Sequence, residues 1–106
     1  MNNLLPKGTR FFIFTYGIFL LNKEKNEALK AERKICFEDV ILRINAGKIL
    51  EIIDHPNQEK YPDQMIIIID IDGYAYMVPF VFQKEGIFLK TIIPSRKLTK
   101  KYIKGK

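Results

Sequence analysis

An α+β fold is what the sequence predicts: an antiparallel sheet of about four strands, two helices before it and a short basic helix after it. Three observations predict it. Helix-favouring charged residues fill residues 23–34, and apolar residues then recur at helical spacing through residues 37–45. From Lys48 onward the pattern changes to short runs rich in isoleucine, valine and aromatic residues. Within those runs, Asp72-Gly73 is a two-residue turn of the kind that joins paired strands. The 106 residues, 47% hydrophobic and 28% charged, make one domain with a small core.

Residues 11–21 (FFIFTYGIFLL) read as one buried strand, with residues 1–17 a possible arm ahead of a core at 18–102. Lys7 and Arg10 before this run give it the look of a secretion signal. No small-residue cleavage site follows, however, and the run is shorter than the roughly 20 apolar residues that span a bilayer. Asn22 is a helix N-cap and Leu21 a staple onto the next turn. The helix over residues 23–34 has only Ala28, Leu29 and Ala31 to bury. The next spans residues 37–45, with Phe37, Val40, Ile41 and Ile44 on one face, Glu38 and Asp39 near its positive end, and Gly47 as its stop.

Residues 49–53 form a short strand, and residues 54–63 a polar, proline-containing loop that is long for so small a domain. Residues 65–71 (MIIIIDI) read as a central strand, and residues 74–82 return antiparallel after the turn. Pro79 has no N–H, so it belongs at a bulge or on the unpaired side of its strand. Residues 83–86 turn the chain, residues 87–93 form another antiparallel strand, and Pro94 stops it. Ser95 then caps a basic helix (SRKLTKKYIK) in which Leu98 and Tyr102 share a face.

The net charge of +6 lies entirely at the end of the chain. Residues 90–106 hold seven of the 18 basic side chains and none of the 12 acidic ones. Such asymmetry suits a polyanion, most simply nucleic acid; a merely solvated terminus is the plainer reading. Cys36 is the only cysteine and His55 the only histidine. One chain therefore cannot assemble a disulfide framework, a zinc cluster or a histidine-rich di-metal site. A lone thiol suits a reducing, cytoplasmic compartment, where Cys36 is a small buried side chain rather than a nucleophile.

Arg96 can hold a phosphate bidentately, Lys97, Lys100, Lys101 and Lys104 add point charge, and Tyr102 can stack on a base or move a proton. His55 is the one side chain whose reference pKa suits acid–base work near neutrality, and it shares its loop with Lys60 and Tyr61. Tyr74 and Tyr76 share a strand face and are either base-stacking groups or packing for a helix. Asp70 and Asp72 also share a face, but the turn already accounts for Asp72, so no metal site and no cofactor are expected.

Two stretches resemble the BrnT family, RelE-like ribonuclease toxins of bacterial type II toxin–antitoxin systems. The first runs from Leu21-Asn22-Lys23-Glu24-Lys25 to Arg33-Lys34-Ile35-Cys36-Phe37-Glu38-Asp39, similar to the family's Trp-Asp-Pro-x-Lys and Lys-His-Gly-Val-Ser-Phe-Glu-Glu at the same spacing. The second, Ile92-Ile93-Pro94-Ser95-Arg96-Lys97-Leu98-Thr99-Lys100-Lys101, is similar to the closing Ile-Ser-Ala-Arg-Lys-Ala-Thr-Arg-Arg, with Tyr102 just beyond. Arg33 and Lys34 stand where the family has His and Gly, and Asp63-Gln64 where it has an acid–arginine pair.

The resemblance implies a RelE-like fold and a metal-independent endoribonuclease that inhibits translation. Its RNA substrate would be cleaved by attack of the 2′-hydroxyl on its own phosphorus. Arg96 and Arg33 would meet the developing charge, His55 or Glu38 would take the proton, and Tyr102 or Lys60 would protonate the leaving oxygen or orient the base. Lys60, Lys97, Lys100 and Lys101 would hold the RNA backbone. The implied partner is a BrnA-like, DNA-binding antitoxin that masks the basic tail. A nucleic-acid-binding module without catalysis, or a protein-interaction module, is the alternative.

Overall fold

The computed structural model describes residues 7–14 and 17–105. The chain enters on β1 (Thr9–Phe14), reverses into β2 (Gly17–Asn22), and forms α1 (Lys23–Arg33) and α2 (Phe37–Asn45). Then come β3 (Ile49–Asp54), β4 (Met65–Ile71), β5 (Tyr74–Gln83), β6 (Gly86–Leu89) and β7 (Ile93–Pro94). The chain ends in α3 (Arg96–Thr99), which continues as a π-helical turn over Lys100–Lys104. None of these helices is long and apolar enough to cross a membrane.

The strands form one sheet in the order β1-β2-β6-β5-β4-β3, with β7 beside β5. Every pairing is antiparallel except β2 with β6, where Phe19 lies opposite Ile87 and Leu20 opposite Phe88. The sheet is therefore mixed and larger than the four antiparallel strands expected. The difference begins at the first apolar run, which is a hairpin rather than one strand: Phe14 pairs with Gly17 and Thr9 with Asn22. Gly17, at φ +134°, adopts a backbone that only glycine takes readily. Apolar residues on both sides hide that reversal from any reading by hydropathy. Of the arm proposed for residues 1–17, Thr9–Phe14 is thus a sheet strand, and residues 1–6 and 15–16 lie outside the described residues.

The later strands follow the sequence closely. Asp72 and Gly73 take the positive φ values of +54° and +83° that the hairpin needs, and β4 and β5 pair from Ile71–Tyr74 to Met65–Phe80. The expected strand over residues 87–93 is broken into β6 and β7. Its break lies beside Pro79, which has no N–H to offer and only accepts, from the Lys90 amide at 2.8 Å. Pro94 does not end the strand. It stays in β7 opposite Tyr76, and the Ser95 amide then donates to the Ala75 carbonyl at 3.0 Å.

Both faces of the sheet are covered, by different parts of the chain. On one face α1 and α2 place Leu29, Phe37, Val40 and Ile41 against Phe19, Leu21, Ile67, Ile69, Val78 and Leu89. Burying a side chain such as Phe37 is worth about 1.5–3 kcal/mol. On the other face Leu98, Tyr102 and Ile103 of the C-terminal segment pack on Ile66, Ile68 and Ala75. The runs of isoleucine in β4 are what a strand buried on both faces requires.

Candidate functional site

The C-terminal segment is fixed by polar bonds as well as by its apolar side. Ser95 caps α3, its hydroxyl oxygen accepting from the Leu98 amide at 3.1 Å. Thr99 is buried; its hydroxyl donates to the Ser95 carbonyl at 2.7 Å and accepts from the Ala75 amide at 2.8 Å. With Leu98, Tyr102 and Ile103 turned to the sheet, Arg96, Lys97, Lys100, Lys101 and Lys104 are left exposed. The Lys101 ammonium lies 5.1 Å from the centroid of the half-buried Tyr102 ring. The segment is thus a row of cations held on a rigid support.

Arg33 reaches the same region from the C-terminal end of α1. Its Nη1 donates to the Ile92 carbonyl at 2.6 Å, clamping the segment that leads through β7 into Arg96. Arg33 is thus tied to residue 92 on the helical face, whereas Arg96 opens the segment that covers the other face. Tyr76 lies at this end of β5 on the helical face, packed against the main core and in edge contact with Tyr74 at a ring separation of 5.7 Å. Burial raises the Tyr76 phenol above its ordinary value, and Tyr74, Asp72 and Asp39 nearby push it the same way.

Glu38 stands at the first turn of α2, joined to α1. The Asn26 amide group donates to its Oε1 at 2.8 Å, while Asn26 Oδ1 accepts from the Phe37 amide at 2.7 Å. Burial opposes the charge on Glu38, but the hydrogen bonds from Asn26 and its own backbone amide outweigh it and hold the carboxyl below the usual range. That makes it a weak base with a structural task. Cys36 is half-buried beside it, with Asp39 Oδ2 accepting from its amide at 3.0 Å and its thiol at 3.3 Å. Burial, together with the nearby Asp39 and Glu38 carboxylates, pushes the thiol up to about 11.

His55 lies elsewhere. The loop between β3 and β4 folds on itself: His55 Nδ1 accepts from the Asn57 amide at 3.0 Å, Asn57 Oδ1 accepts from the Lys60 amide at 3.1 Å, and the His55 carbonyl accepts from the Gln58 side chain at 2.6 Å. The imidazole packs 4.4 Å from the Tyr61 ring, over which the Lys60 ammonium sits at 5.3 Å. With Nδ1 accepting, the neutral ring carries its proton on Nε2. This loop joins the sheet beside Met65 and Phe80, whereas Arg96 enters beside Ala75 and Tyr74. At the rise of a strand those levels are about 15–20 Å apart.

The sequence-nominated groups therefore fall into three places. Arg96 and the lysines lie along the C-terminal segment, Arg33 and Glu38 belong to the α1–α2 junction on the other face, and His55 with Lys60 sits at the opposite end of the sheet. Tyr102 uses one side of its ring for packing. Sequence reasoning missed Asn26, whose buried amide joins the two helices; a lone asparagine among charged helix formers gives no signal of that role. It also missed an open apolar cleft on the helical face, lined by Phe19, Ile44, Ile49, Ile52, Phe82 and Ile87 among others, with a volume of about 390 Å³. No family model, characterised protein or solved structure matches the chain.

Proposed function

We propose that the chain acts on RNA, as a metal-independent endoribonuclease toxin of the BrnT, RelE-like kind that inhibits translation in the cytoplasm. The observation that carries the reading is the rigid cationic segment: Arg96 and its following lysines held to the sheet by Thr99, with Arg33 clamped onto the strand that leads into them. In the reaction the 2′-oxygen attacks the adjacent phosphorus and the 5′-oxygen leaves, giving a 2′,3′-cyclic phosphate. Arg96 and Arg33 offset the charge that gathers on the phosphoryl oxygens, and the lysines hold flanking phosphates. A BrnA-like antitoxin would silence the protein by laying an acidic segment along the same cations.

A second reading, RNA binding without cleavage, is favoured by the separation of His55 from Arg96 and by the hydrogen bonds that occupy His55 and Glu38. One experiment separates the two. Total RNA is incubated with the purified protein in excess chelator, beside Arg96→Ala, with circular dichroism to show that both are folded. Cleavage by the parent and a loss of about a hundredfold in Arg96→Ala is expected. RNA binding without cleavage by either protein overturns the nuclease reading, and no binding overturns both.

A further inference from the structure

We infer that β3 is a self-association edge, through which two copies of the chain pair antiparallel about a twofold axis at Ile52. This inference is independent of the RNA reading. Among the described residues β3 is the last strand of the sheet, paired on one side only, with β4. Terminal strands ordinarily guard themselves with charged side chains, above all lysine, with proline or with a bulge. Ile49–Asp54 (ILEIID) has neither lysine nor proline; its charges are Glu51 and Asp54, and its one irregularity lies between Ile49 and Glu51, leaving residues 51–54 regular. Ile52 is 48% exposed on this edge, and it borders the apolar cleft.

A twofold interface must be complementary to itself, which fixes both the register and the occupant. Ile52 lies opposite Ile67, on the face that carries the cleft, while Glu51 and Ile53 lie opposite Ile68 and Ile66, on the other face. Pairing Ile52 with its own copy keeps Glu51, Ile52 and Ile53 on their proper faces and sets Glu51 against Ile53, so that no two carboxylates meet. It also sets Asp54 opposite Leu50, where the strand is irregular, two residues from Lys48 of the copy. Because Lys48 precedes the strand and Asp54 ends it, antiparallel pairing forms this charge contact twice. A register centred on Glu51 would instead place two like charges on the axis.

Light scattering and sedimentation of the full chain test this, with Ile52→Lys, Lys48→Glu and the swapped pair Lys48→Glu/Asp54→Lys, each confirmed folded by circular dichroism. A dimer is expected for the parent, a monomer for Ile52→Lys, a dimer weakened about tenfold for Lys48→Glu, and recovery in the swapped pair. Mild oxidation of Ile52→Cys should give a covalent dimer, whereas Phe82→Cys, more exposed on the same face but two strands from the edge, should not. Cys36, half-buried and held against Asp39, takes no part. A parent that is monomeric at its highest soluble concentration overturns the inference. So does a dimer that survives Ile52→Lys, or one whose Lys48→Glu defect the swap leaves unrepaired, since each of these puts the contact elsewhere.

Discussion

At the scale of single residues, polar groups that the sequence offers as reagents are in several cases spoken for. Asn26 satisfies the Phe37 amide and the Glu38 carboxylate together, so Asn26→Ala should cost about 2–3 kcal/mol in urea unfolding, because it strands one buried donor and one charge. Glu38 titrates lower in the folded chain than its ordinary value of 4.5. Its contribution to stability is therefore complete above that value and is lost as the pH falls through the folded-state value below it. Denaturant midpoints measured from neutral to acid pH should show this fall, and Glu38→Gln should remove that part of it. Cys36, with its thiol pushed from 9.0 to about 11, should alkylate about a hundredfold more slowly at neutral pH than an ordinary thiol, read by mass spectrometry.

Individual elements show which parts of the fold were legible. The α2 helix, β4 and the Asp72-Gly73 turn stand where apolar spacing and turn chemistry place them, since each is specified by residues within its own length. The first hairpin was not legible, because the run is apolar on both sides of the reversal between Phe14 and Gly17. The break at Lys90–Ile92 is set by Pro79 on a neighbouring strand, and local patterning carries no record of it. The site divides in the same way. The cationic segment can be read from composition, whereas the distance between His55 and Arg96 is a property of sheet register. Thr99 is the element-scale test: Thr99→Val leaves the Ala75 amide without its acceptor. It should cost about 1–3 kcal/mol and speed hydrogen exchange at Ala75 and along the C-terminal segment.

For the molecule as a whole, the described architecture separates three surfaces. The cations of the C-terminal segment lie on one side of the sheet, and the apolar cleft and the β3 edge are reached from the other side and from its margin. If the exposed basic groups bind single-stranded RNA as a set of about five phosphate contacts, affinity should fall by about a hundredfold between roughly 50 and 200 mM salt. Fluorescence anisotropy with labelled RNA checks this, and a flat salt response would point away from the C-terminal segment as the contact.

The parallel contact between β2 and β6 has a consequence in time. The first hairpin is synthesised before the rest of the sheet, but among the described residues its only strand partner beyond itself is β6, which follows after α1, α2 and the β4–β5 hairpin. Closing so long a loop is slow, and Gly86 must arrive with its bare Cα against the Ile18 carbonyl, where a side chain would collide. Residues made before the rest of the sheet are thus among the last to be seated. Until β6 forms, β2 waits with one flank open, the interval in which a nascent chain is most exposed to pairing with the wrong strand.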